Sequence, residues 1–370
     1  MELVEHGYSA ALGVYITGKV ELPLVQDLKV AVNHLMAPIE QYEFAAANDK
    51  SRYIAALLTP AFKRGKFIQG HVPLTIYEAD QSQAGKTELA KTVPAAYGEG
   101  PATIARREGG VGSVDESICQ ALIHGHSNIL LDNWRGDLDS TFLESALTAG
   151  GKFSARALRT SLDVEANQYF FAISSSGMNT TPDLCNRALF VRIKKRTGYA
   201  FPIHAEGLLS DHVLAHFPSM LSSIYWVIAE WIAAGRPRTD GAGHSFVGWS
   251  GIMDWIVQNF FGLPALLDGH AAVTQRTSEP SLAILRLVCL QVDKSKLLDK
   301  ALQVATLADL ATENGIDIGG YDPNELTGPA KVMGKILVNS FRAMDPTGQI
   351  DAQIQLEGFY IRRQKITRKR

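Results

Sequence analysis

Apolar residues recur at helical spacing near the start of the chain and form short continuous runs through its middle. Leu28, Val32 and Leu35 fall on one helical face, and a second helical pattern ends at Pro60. A short strand is predicted near Leu12–Ile16. The four apolar runs that follow alternate with stretches of helical period and are Leu74–Tyr77, Asn128–Leu131, Tyr169–Ser174 and Leu189–Ile193. Such alternation is typical of an α/β fold, in which a parallel sheet is connected by crossover helices.

The pattern becomes helical again beyond residue 200. The helical stretch over 205–260 contains Trp226, Trp231, Trp249 and Trp255, which we expect to pack between helices rather than stack on bases. Three helical segments follow from about Thr277, and a strand closes the pattern. We therefore expect four regions: a helical, collar-like N-terminal region (1–70), an α/β core (71–200), a helical extension (201–276) and a C-terminal domain (277–370).

Composition places the chain among ordinary globular proteins. Hydrophobic residues make up 46% and charged residues 20% of the 370 positions, which excludes disorder and a coiled coil. The formal net charge of −2 excludes a strongly basic nucleic-acid binder, so any contact with nucleic acid has to come from local patches.

The cysteines and histidines give no metal or disulfide motif. Cys119, Cys185 and Cys289 are too few and too widely spaced for a disulfide framework or a zinc ribbon, which favours a reducing compartment. His124 and His126 form the one close histidine pair, and no third ligand follows at metal spacing. No signal peptide or membrane-spanning run is predicted, so we expect a cytoplasmic protein with no membrane partner.

The strongest local motif is the stretch PLTIYEADQSQAGKTELAKT, which begins at Pro73. It predicts a strand, a polar loop and a helix, and the loop and helix N-terminus together can surround a phosphate with backbone N–H groups. The predicted nucleotide-binding residues are Gln83, Ala84, Gly85, Lys86 and Thr87. Lys86 would contact the β- and γ-phosphates of ATP, and the Thr87 hydroxyl would bind Mg²⁺. Asp80 replaces the first glycine of the motif, and the alternative interpretation is a surface turn that contains GKT.

A second motif, NILLDN, predicts a buried strand with Asp132 at its carboxyl end. Ligands of α/β sheets bind at this end, so Asp132 is a candidate second Mg²⁺ ligand and catalytic residue. Asn133 stands where many ATPases carry glutamate; it can orient a water molecule but cannot accept its proton. The base would then be Asp132, a nearby glutamate such as Glu144, or water alone, and a buried strand ending in an Asp-Asn turn is the alternative.

A third motif is YFFAISSSGMNTTPDLCNRALFVRIKK, beginning at Tyr169. Its strand is predicted to end at three serines, and Asn179 is the candidate residue that contacts the γ-phosphate or positions the water. Asp183 is predicted to cap a short helix that presents Arg187 to the nucleotide of a neighbouring subunit. A solvated surface or salt-bridge role is the alternative for Arg187, and it is the expected role for Arg192, within the next strand.

Together and in this order, the three motifs resemble the ATPase core of phage and plasmid primase–helicases, which are superfamily 3-like AAA+ P-loop NTPases. The stretches IAALLTPAFKRG (54–65) and TFLESALTAGGKFSARALRTS (141–161) add to the resemblance. It covers residues 50–200 well and 290–370 loosely. It implies an AAA+-like P-loop core with a winged-helix-like C-terminal domain, and a homo-oligomer, expected to be a hexamer. It also implies ATP and Mg²⁺ as cofactors and single-stranded DNA as partner. No primase module is recognisable here, which leaves a stand-alone motor, one gene of a split system or a weakly hydrolysing version as alternatives, with a separate primase or loader as a candidate partner.

In that family the segment between the second and third motifs forms a hairpin or loop that faces the pore of the ring. Here it contains Lys152, Arg156 and Arg159, whose spacing would bring them together on a helix as a row of phosphate contacts. Arg156 also matches a family position that faces the nucleotide or the interface. The alternative is a solvated charged face.

The C-terminal end reverses the charge balance of the chain. Six of its last nine residues are basic, among them Arg362 and Arg363. A strand is predicted over Glu357–Arg363, and the basic residues on it and after it are candidate phosphate contacts of a wing. The helix predicted over Lys331–Met344 is the candidate that faces the DNA groove. The alternative is a solubilising tail.

The sequence therefore predicts an ATP-dependent, oligomeric DNA motor, a replicative helicase of a phage, plasmid or other mobile element. Asp80 and Asn133 favour a different class as the alternative: a nucleotide-gated DNA-binding scaffold with weak or no hydrolysis. A small-molecule kinase is a third, weaker hypothesis. It would need a lid and an acceptor site between the motifs, and neither is recognisable in the sequence.

Overall fold

The computed structural model describes residues 7–9, 14–16, 22–23, 27–79, 81–105, 113–157, 160–166, 168–241, 243–271, 273–274, 280–316, 318, 328–344, 354–356, 359–362 and 365–368. The described helices are α1 (Leu28–Met36), α2 (Ala47–Arg64), α3 (Lys86–Ala95), α4 (Val114–Ile123), α5 (Thr141–Leu147), α6 (Pro182–Asn186), α7 (Leu209–Ala215), α8 (Phe217–Ala233), α9 (Val247–Asn259), α10 (Pro280–Lys294), α11 (Val304–Glu313) and α12 (Pro329–Met344). Among the residues described, no helix combines the length and the apolar content that crossing a bilayer requires.

The strands form a six-stranded sheet, a three-stranded sheet and two hairpins. They are β1 (Gly7–Ser9), β2 (Val14–Ile16), β3 (Glu43–Phe44), β4 (Leu74–Ala79), β5 (Ala102–Ala105), β6 (Asn128–Leu138), β7 (Lys152–Ala157), β8 (Thr160–Glu165), β9 (Phe170–Thr180), β10 (Ala188–Lys194), β11 (Ile354–Leu356), β12 (Phe359–Arg362) and β13 (Lys365–Arg368). The predicted alternation of strands and helices over 71–200 is confirmed.

The six-stranded sheet has the order β3-β10-β4-β9-β6-β5 and is mostly parallel. Strand β4 pairs in parallel with β10 on one side and with β9 on the other, and β5 pairs in parallel with β6. Only the short β3 is seen to run antiparallel, along β10 at the edge. Strand β4 lies between β10 and β9, so the chain leaves β4 at a point where the strand order changes direction. The loop after β4 begins at this point, which is where α/β sheets bind ligands. This architecture is compatible with a P-loop NTPase-like core.

Two of the central strands are longer than the sequence predicts. The strand predicted over Asn128–Leu131 extends to Leu138, and the one predicted over Tyr169–Ser174 extends to Thr180, so the serine run lies inside β9. Further apolar side chains, Trp134 on β6 and Met178 on β9, are buried beyond the predicted ends. Their burial continues the strands past polar residues that resemble a strand end in sequence.

The described chain forms two compact units. The first comprises Met1–Trp134, Ser140–Ser176 and Arg187–Asp268, and the second comprises Arg135–Asp139, Gly177–Asn186 and Gly269–Arg370.

Helix α2 lies at the centre of the first unit and carries a buried ion-pair network. Asp49 accepts hydrogen bonds from Arg52 of the same helix (Nη1 to Oδ1, 2.8 Å) and from Arg192 of β10 (Nη2 to Oδ2, 3.2 Å). Its Oδ2 also accepts from the Ala46 N–H at 3.0 Å, which caps the helix. The salt-bridge role expected for Arg192 is therefore confirmed, and the network ties α2 to the sheet.

The tryptophans of the helical stretch pack in the core, as predicted. Trp231 and Trp249 are buried, and the other two are half-buried. The Trp249 indole N–H donates to the Thr59 hydroxyl at 2.8 Å, which joins α9 to α2. This burial leaves Trp231 and Trp249 no face on which a base could stack.

The second unit has a core of its own. Helices α10, α11 and α12 and the antiparallel β11-β12-β13 sheet share buried residues that include Leu285, Val288, Leu307, Met333 and Phe359. The helices predicted near Ala301–Asn314 and over Lys331–Met344 are confirmed by α11 and α12, and β12 lies within the strand predicted over Glu357–Arg363. The winged-helix assignment stays a prediction.

Candidate nucleotide-binding site

The loop between β4 and α3 has the backbone shape that its glycine permits. Gly85 has φ +87° and Gln83 has φ +60°, while Ala84 between them is buried. A Cβ atom on Gly85 would lie 2.9 Å from Tyr42 Cε1 and 3.0 Å from Phe201 Cζ, so only glycine fits there without displacing these rings. Asp80, which stands where the motif usually has its first glycine, lies outside the described residues.

Lys86 begins α3 and contacts Ser176 within β9. Its side chain is buried, and Nζ donates to the Ser176 hydroxyl at 2.8 Å. A cation in the first turn of a helix lies next to the backbone N–H groups that have no partner within the helix. Together they give a local site for anionic oxygens. Lys86 therefore lies where the sequence predicts a phosphate-binding lysine.

Thr87, Asp132 and Ser174 form a hydroxyl–carboxylate cluster next to Lys86. The Thr87 and Ser174 hydroxyls each donate to Asp132 Oδ1 at 2.6 Å, and the two hydroxyl oxygens lie 3.2 Å apart. Neighbouring ligands of octahedral Mg²⁺ lie roughly 3 Å apart, so Thr87 Oγ1 and Asp132 Oδ1 fit adjacent positions around one ion. Both β6 and β9 continue past this cluster, so the prediction that Asp132 stands at the carboxyl end of its strand is wrong. Ser174 pairs with Tyr77 near the carboxyl end of β4, which keeps the cluster beside the loop and helix that follow β4.

Asn133 supplies a backbone contact to this cluster. It has φ +53°, a conformation that asparagine tolerates better than most residues, and its N–H donates to the Ser174 hydroxyl at 2.8 Å. An amide side chain provides no general base at this position. The Glu144 carbonyl oxygen accepts from Arg187 Nη1 at 2.8 Å, and a role of the Glu144 carboxylate as the base stays a prediction.

The serines of β9 are functional candidates that the sequence analysis did not single out individually. Ser175 pairs with Glu78 of β4, which brings Ser174 and Ser176 to the carboxyl end of the neighbouring strand. Asn179, the predicted γ-phosphate contact, lies three residues further along β9 and belongs to the second unit. The serine run was the available signal, but its register against β4 cannot be obtained from sequence alone.

Arg187 lies at the opposite edge of the sheet from the loop. Its carbonyl oxygen accepts from the Leu74 N–H at the start of β4, and Ala188 pairs with Leu74. Six strand residues at about 3.3 Å each separate this edge from the loop after Ala79. Arg187 is therefore not brought to Lys86 of its own chain, and its predicted role remains one toward a neighbouring subunit.

The segment with Lys152 and Arg156 is a β-hairpin, so the helical row considered from the spacing is wrong. Strands β7 and β8 pair with Lys152 opposite Glu165 and Arg156 opposite Ser161. Lys152, Ser154 and Arg156 share the exposed face, and Lys152 Nζ lies 3.5 Å from Glu165 Oε1 with the two side chains 64% and 52% exposed. Alternation with Phe153 and Ala155, which point toward the core, favours the strand over the helix. Arg159 lies outside the described residues.

The basic C-terminal residues are only partly described. The backbone of Arg362 ends β12, where it pairs with Lys365 of β13, and Arg363 lies outside the described residues. Their DNA-binding role stays a prediction.

Tyr42, one of the two aromatic residues packed against Gly85, is neutral in its environment. Burial, followed by the Glu88 carboxylate, raises the pKa of Tyr42 beyond its usual range. Glu88 Oε1 in turn accepts from the Ser210 N–H at 2.6 Å, which joins the first turn of α3 to α7. Tyr42, Phe201 and the segment before α7 thus form one side of the loop.

Comparisons with known proteins leave the chain without a family. No family model and no curated protein matches the sequence. A solved structure of the SCCmec type IV Cch active helicase is similar at 12% identity and a TM-score of 0.34, over 91% of this chain and 69% of that one. A similarity of this size assigns neither family nor activity.

Proposed function

We propose that this chain binds ATP with Mg²⁺ at the loop Gln83–Thr87 and hydrolyses it. The observation that carries the proposal is the convergence of Lys86, Thr87 and Asp132 beside the carboxyl end of β4, where Ser174 and Ser176 of β9 contact all three. These are a phosphate-binding cation and two oxygen ligands of the kind that Mg²⁺ prefers.

Each side chain has a role in this proposal. Lys86 would exchange its bond to Ser176 for the β- and γ-phosphate oxygens, and Ser176 would remain beside the γ-phosphate as a hydrogen-bond donor. Thr87 and Asp132 would hold Mg²⁺, which neutralises charge on the phosphates when bound. Ser174 keeps Asp132 in place through its bond to Oδ1. Catalysis would then rest on positioning and charge, with Asp132 or water alone taking the proton.

The finer proposal is that hydrolysis drives movement along single-stranded DNA in a homo-oligomer, expected to be hexameric, as in a replicative helicase of a mobile element. The resemblance of residues 50–200 to primase–helicases supports it, and the exposed β7–β8 hairpin is the candidate DNA contact. Arg187 would complete the site of a neighbouring subunit. A separate primase or loader is a candidate partner of this motor.

The alternative is a nucleotide-gated DNA-binding scaffold with little turnover. Asn133 favours it, because its side chain is an amide where a general base would act, and its N–H is engaged with Ser174. In this case ATP binding would order the assembly without rapid hydrolysis.

Steady-state ATP hydrolysis, with and without single-stranded DNA, tests the proposal, and labelled-ATP binding is measured in parallel. Lys86→Ala should lose both binding and hydrolysis, because no other cation of α3 reaches Ser176 of β9. Lys91→Ala, in the same helix, is the matched control and should retain both. Turnover stimulated by DNA supports the motor, binding without turnover supports the scaffold, and equal ATP binding by wild type and Lys86→Ala overturns the nucleotide site itself.

A further inference from the structure

A histidine–glutamate cluster lies outside the nucleotide site, around α7. Glu206, His212 and His216 each offer one ligand atom, and these atoms lie within 4.8 Å of one another. Glu206 Oε2 is 2.9 Å from His212 Nδ1. Glu206 Oε1 is 3.9 Å from His216 Nδ1, which donates to the His212 carbonyl oxygen at 2.9 Å, so the His216 ring has its Nε2 available as a ligand. One carboxylate therefore lies between two imidazole rings.

The local fold brings these three groups together. His212 and His216 are four residues apart across the end of α7, which places them on the same side of the chain. Glu206 is positioned by a tight turn, in which the N–H groups of His204 and Gly207 each donate to the other's carbonyl oxygen at 2.8 and 3.1 Å. Gly207 has φ +126°, a conformation that glycine alone adopts readily. The arrangement thus depends on backbone geometry and not only on side-chain rotamers.

A third imidazole borders the cluster. The His204 ring stacks on His212 with their centroids 4.3 Å apart and an angle of 15°. The Nε2 atom of His204 is buried and has no hydrogen-bond partner among the described residues. A buried, unpartnered ring nitrogen next to two other imidazoles is unusual in a protein, because such atoms are nearly always satisfied.

We infer that Glu206, His212 and His216 bind a divalent first-row transition metal ion of the Zn²⁺ type. Two imidazoles and a carboxylate are a ligand set that suits Zn²⁺, whereas Mg²⁺ prefers oxygen ligands alone. Three protein ligands leave a further position for water.

Bound metal would join the turn that carries Glu206 to α7 and to His216, which follows the helix. Within α7 the Ser210 N–H donates to Glu88 in the first turn of α3, so the metal site and the phosphate loop share a structural connection. The metal inference stands on the cluster itself and does not depend on ATP binding. Its experiment therefore uses the metal alone.

The test is titration of the full chain with Zn²⁺ by calorimetry, and with Co²⁺ by visible absorption, without nucleotide. Wild type should bind one equivalent of Zn²⁺, show Co²⁺ bands of low coordination number, and gain thermal stability. The double variant His212→Ala, His216→Ala should lose this binding and the stability gain, and Glu206→Gln should weaken it. These side chains are half-buried or exposed, so circular dichroism should show that the variants keep the fold.

The matched control is His124→Ala, His126→Ala, which removes an exposed histidine pair elsewhere on the surface and should leave binding unchanged. Absence of one-equivalent Zn²⁺ binding by wild type would overturn the inference. Unchanged binding by the His212, His216 variant, or its loss in the control variant, would overturn it as well. Because no nucleotide is present, none of these outcomes depends on the proposed ATPase.

Discussion

Gly85 illustrates how one residue satisfies two separate demands of the site. Its φ of +87° belongs to the left-handed region, and its Cα faces the rings of Tyr42 and Phe201. The first demand is conformational and the second is steric. A side chain at this position would therefore disturb both the loop and its aromatic cover.

We expect Gly85→Ala to reduce the free energy of unfolding by roughly 1–3 kcal/mol, because a Cβ is strained in this conformation and would contact the two rings. ATP binding should be lost as well, since the loop N–H groups would shift. Urea denaturation measures the first effect and labelled ATP the second. Gly100→Ala, where a Cβ meets nothing within 4 Å, is the control and should change stability by less than about 0.5 kcal/mol. An unchanged Gly85→Ala protein would contradict this account of the loop.

At the residue scale, the sequence predicted the side chains whose positions depend on local order. Lys86 and Thr87 follow a strand and begin a helix, and Asp132 ends an apolar run, so each could be placed by its neighbours in the chain. Ser174 and Ser176 could not be placed in the same way, because their positions depend on how β9 pairs with β4. Roles for all of these residues remain proposals.

Among the elements, the loop before α9 contains a buried histidine that bridges to the sheet. His244 accepts from the Phe246 N–H through Nδ1 at 3.0 Å, and its Nε2 donates to the Ala188 carbonyl at 3.3 Å. This pattern requires the neutral ring. Burial lowers the pKa of His244 to about 4, and the bond to Ala188 offsets this only in part.

We expect this histidine to make stability depend on pH. The unfolded chain takes up a proton near pH 6.5, whereas the folded chain does so only near pH 4, so stability should fall as the pH is lowered between these values. The loss is up to about 3 kcal/mol for a shift of this size. Urea denaturation across the pH range should show a flatter profile for His244→Asn than for wild type. His124→Asn, at an exposed site, should keep the wild-type profile, and equal slopes in all three proteins would contradict the assignment.

The β7–β8 hairpin carries acidic as well as basic side chains. Glu165 faces Lys152, and Asp163 faces Ser154, so the acidic strand partly neutralises the basic one. An exposed pair of this kind contributes little stability, because water and salt screen it. Its main effect would be on the binding of a charged ligand.

If the hairpin contacts DNA, Glu165→Gln should tighten binding of single-stranded DNA, because it frees Lys152 and removes a negative charge. Lys152→Ala should weaken binding and reduce the slope of log affinity against log salt by about 0.7, the value for one phosphate contact on a single strand. Fluorescence anisotropy at several salt concentrations measures both. Glu40→Gln, another exposed acidic residue, is the control, and identical behaviour of all variants would exclude the hairpin as the DNA contact.

The elements were predicted well where apolar residues are contiguous and less well elsewhere. The runs that predicted β4, β6, β9 and β10 are continuous and buried, so their existence was clear from sequence. Their ends were not, because polar residues inside β6 and β9 resemble strand ends. The cation spacing of the β7–β8 segment was considered on a helix, and only the family resemblance implied a hairpin or loop. The alternation with Phe153 and Ala155 is the sequence signal that favours a strand.

At the scale of the whole molecule, the position of Arg187 is the observation with the widest consequence. It lies at the edge of the sheet away from Lys86, and its guanidinium donates to the Glu144 carbonyl. A role in hydrolysis therefore requires the nucleotide of another copy of the chain.

We expect Arg187→Ala to bind ATP but to lose hydrolysis, and mixing it with Lys86→Ala to restore part of the activity. In a mixed oligomer the Lys86→Ala subunit supplies Arg187, while the Arg187→Ala subunit supplies an intact loop. Hydrolysis by each variant alone and by mixtures of both measures this. Retained hydrolysis by Arg187→Ala alone, or a mixture with no activity, would contradict a role between subunits.

The division of the chain into units also constrains how it can be dissected. The second unit is assembled from three segments, two of which, Arg135–Asp139 and Gly177–Asn186, are inserted between segments of the first. Removing everything after Asp268 would therefore leave two orphaned pieces of the second unit within the remaining chain. Because each unit consists of three segments of the chain, a single cut in the sequence cannot separate one unit from the other. Recombination between related genes would have to exchange the two units together.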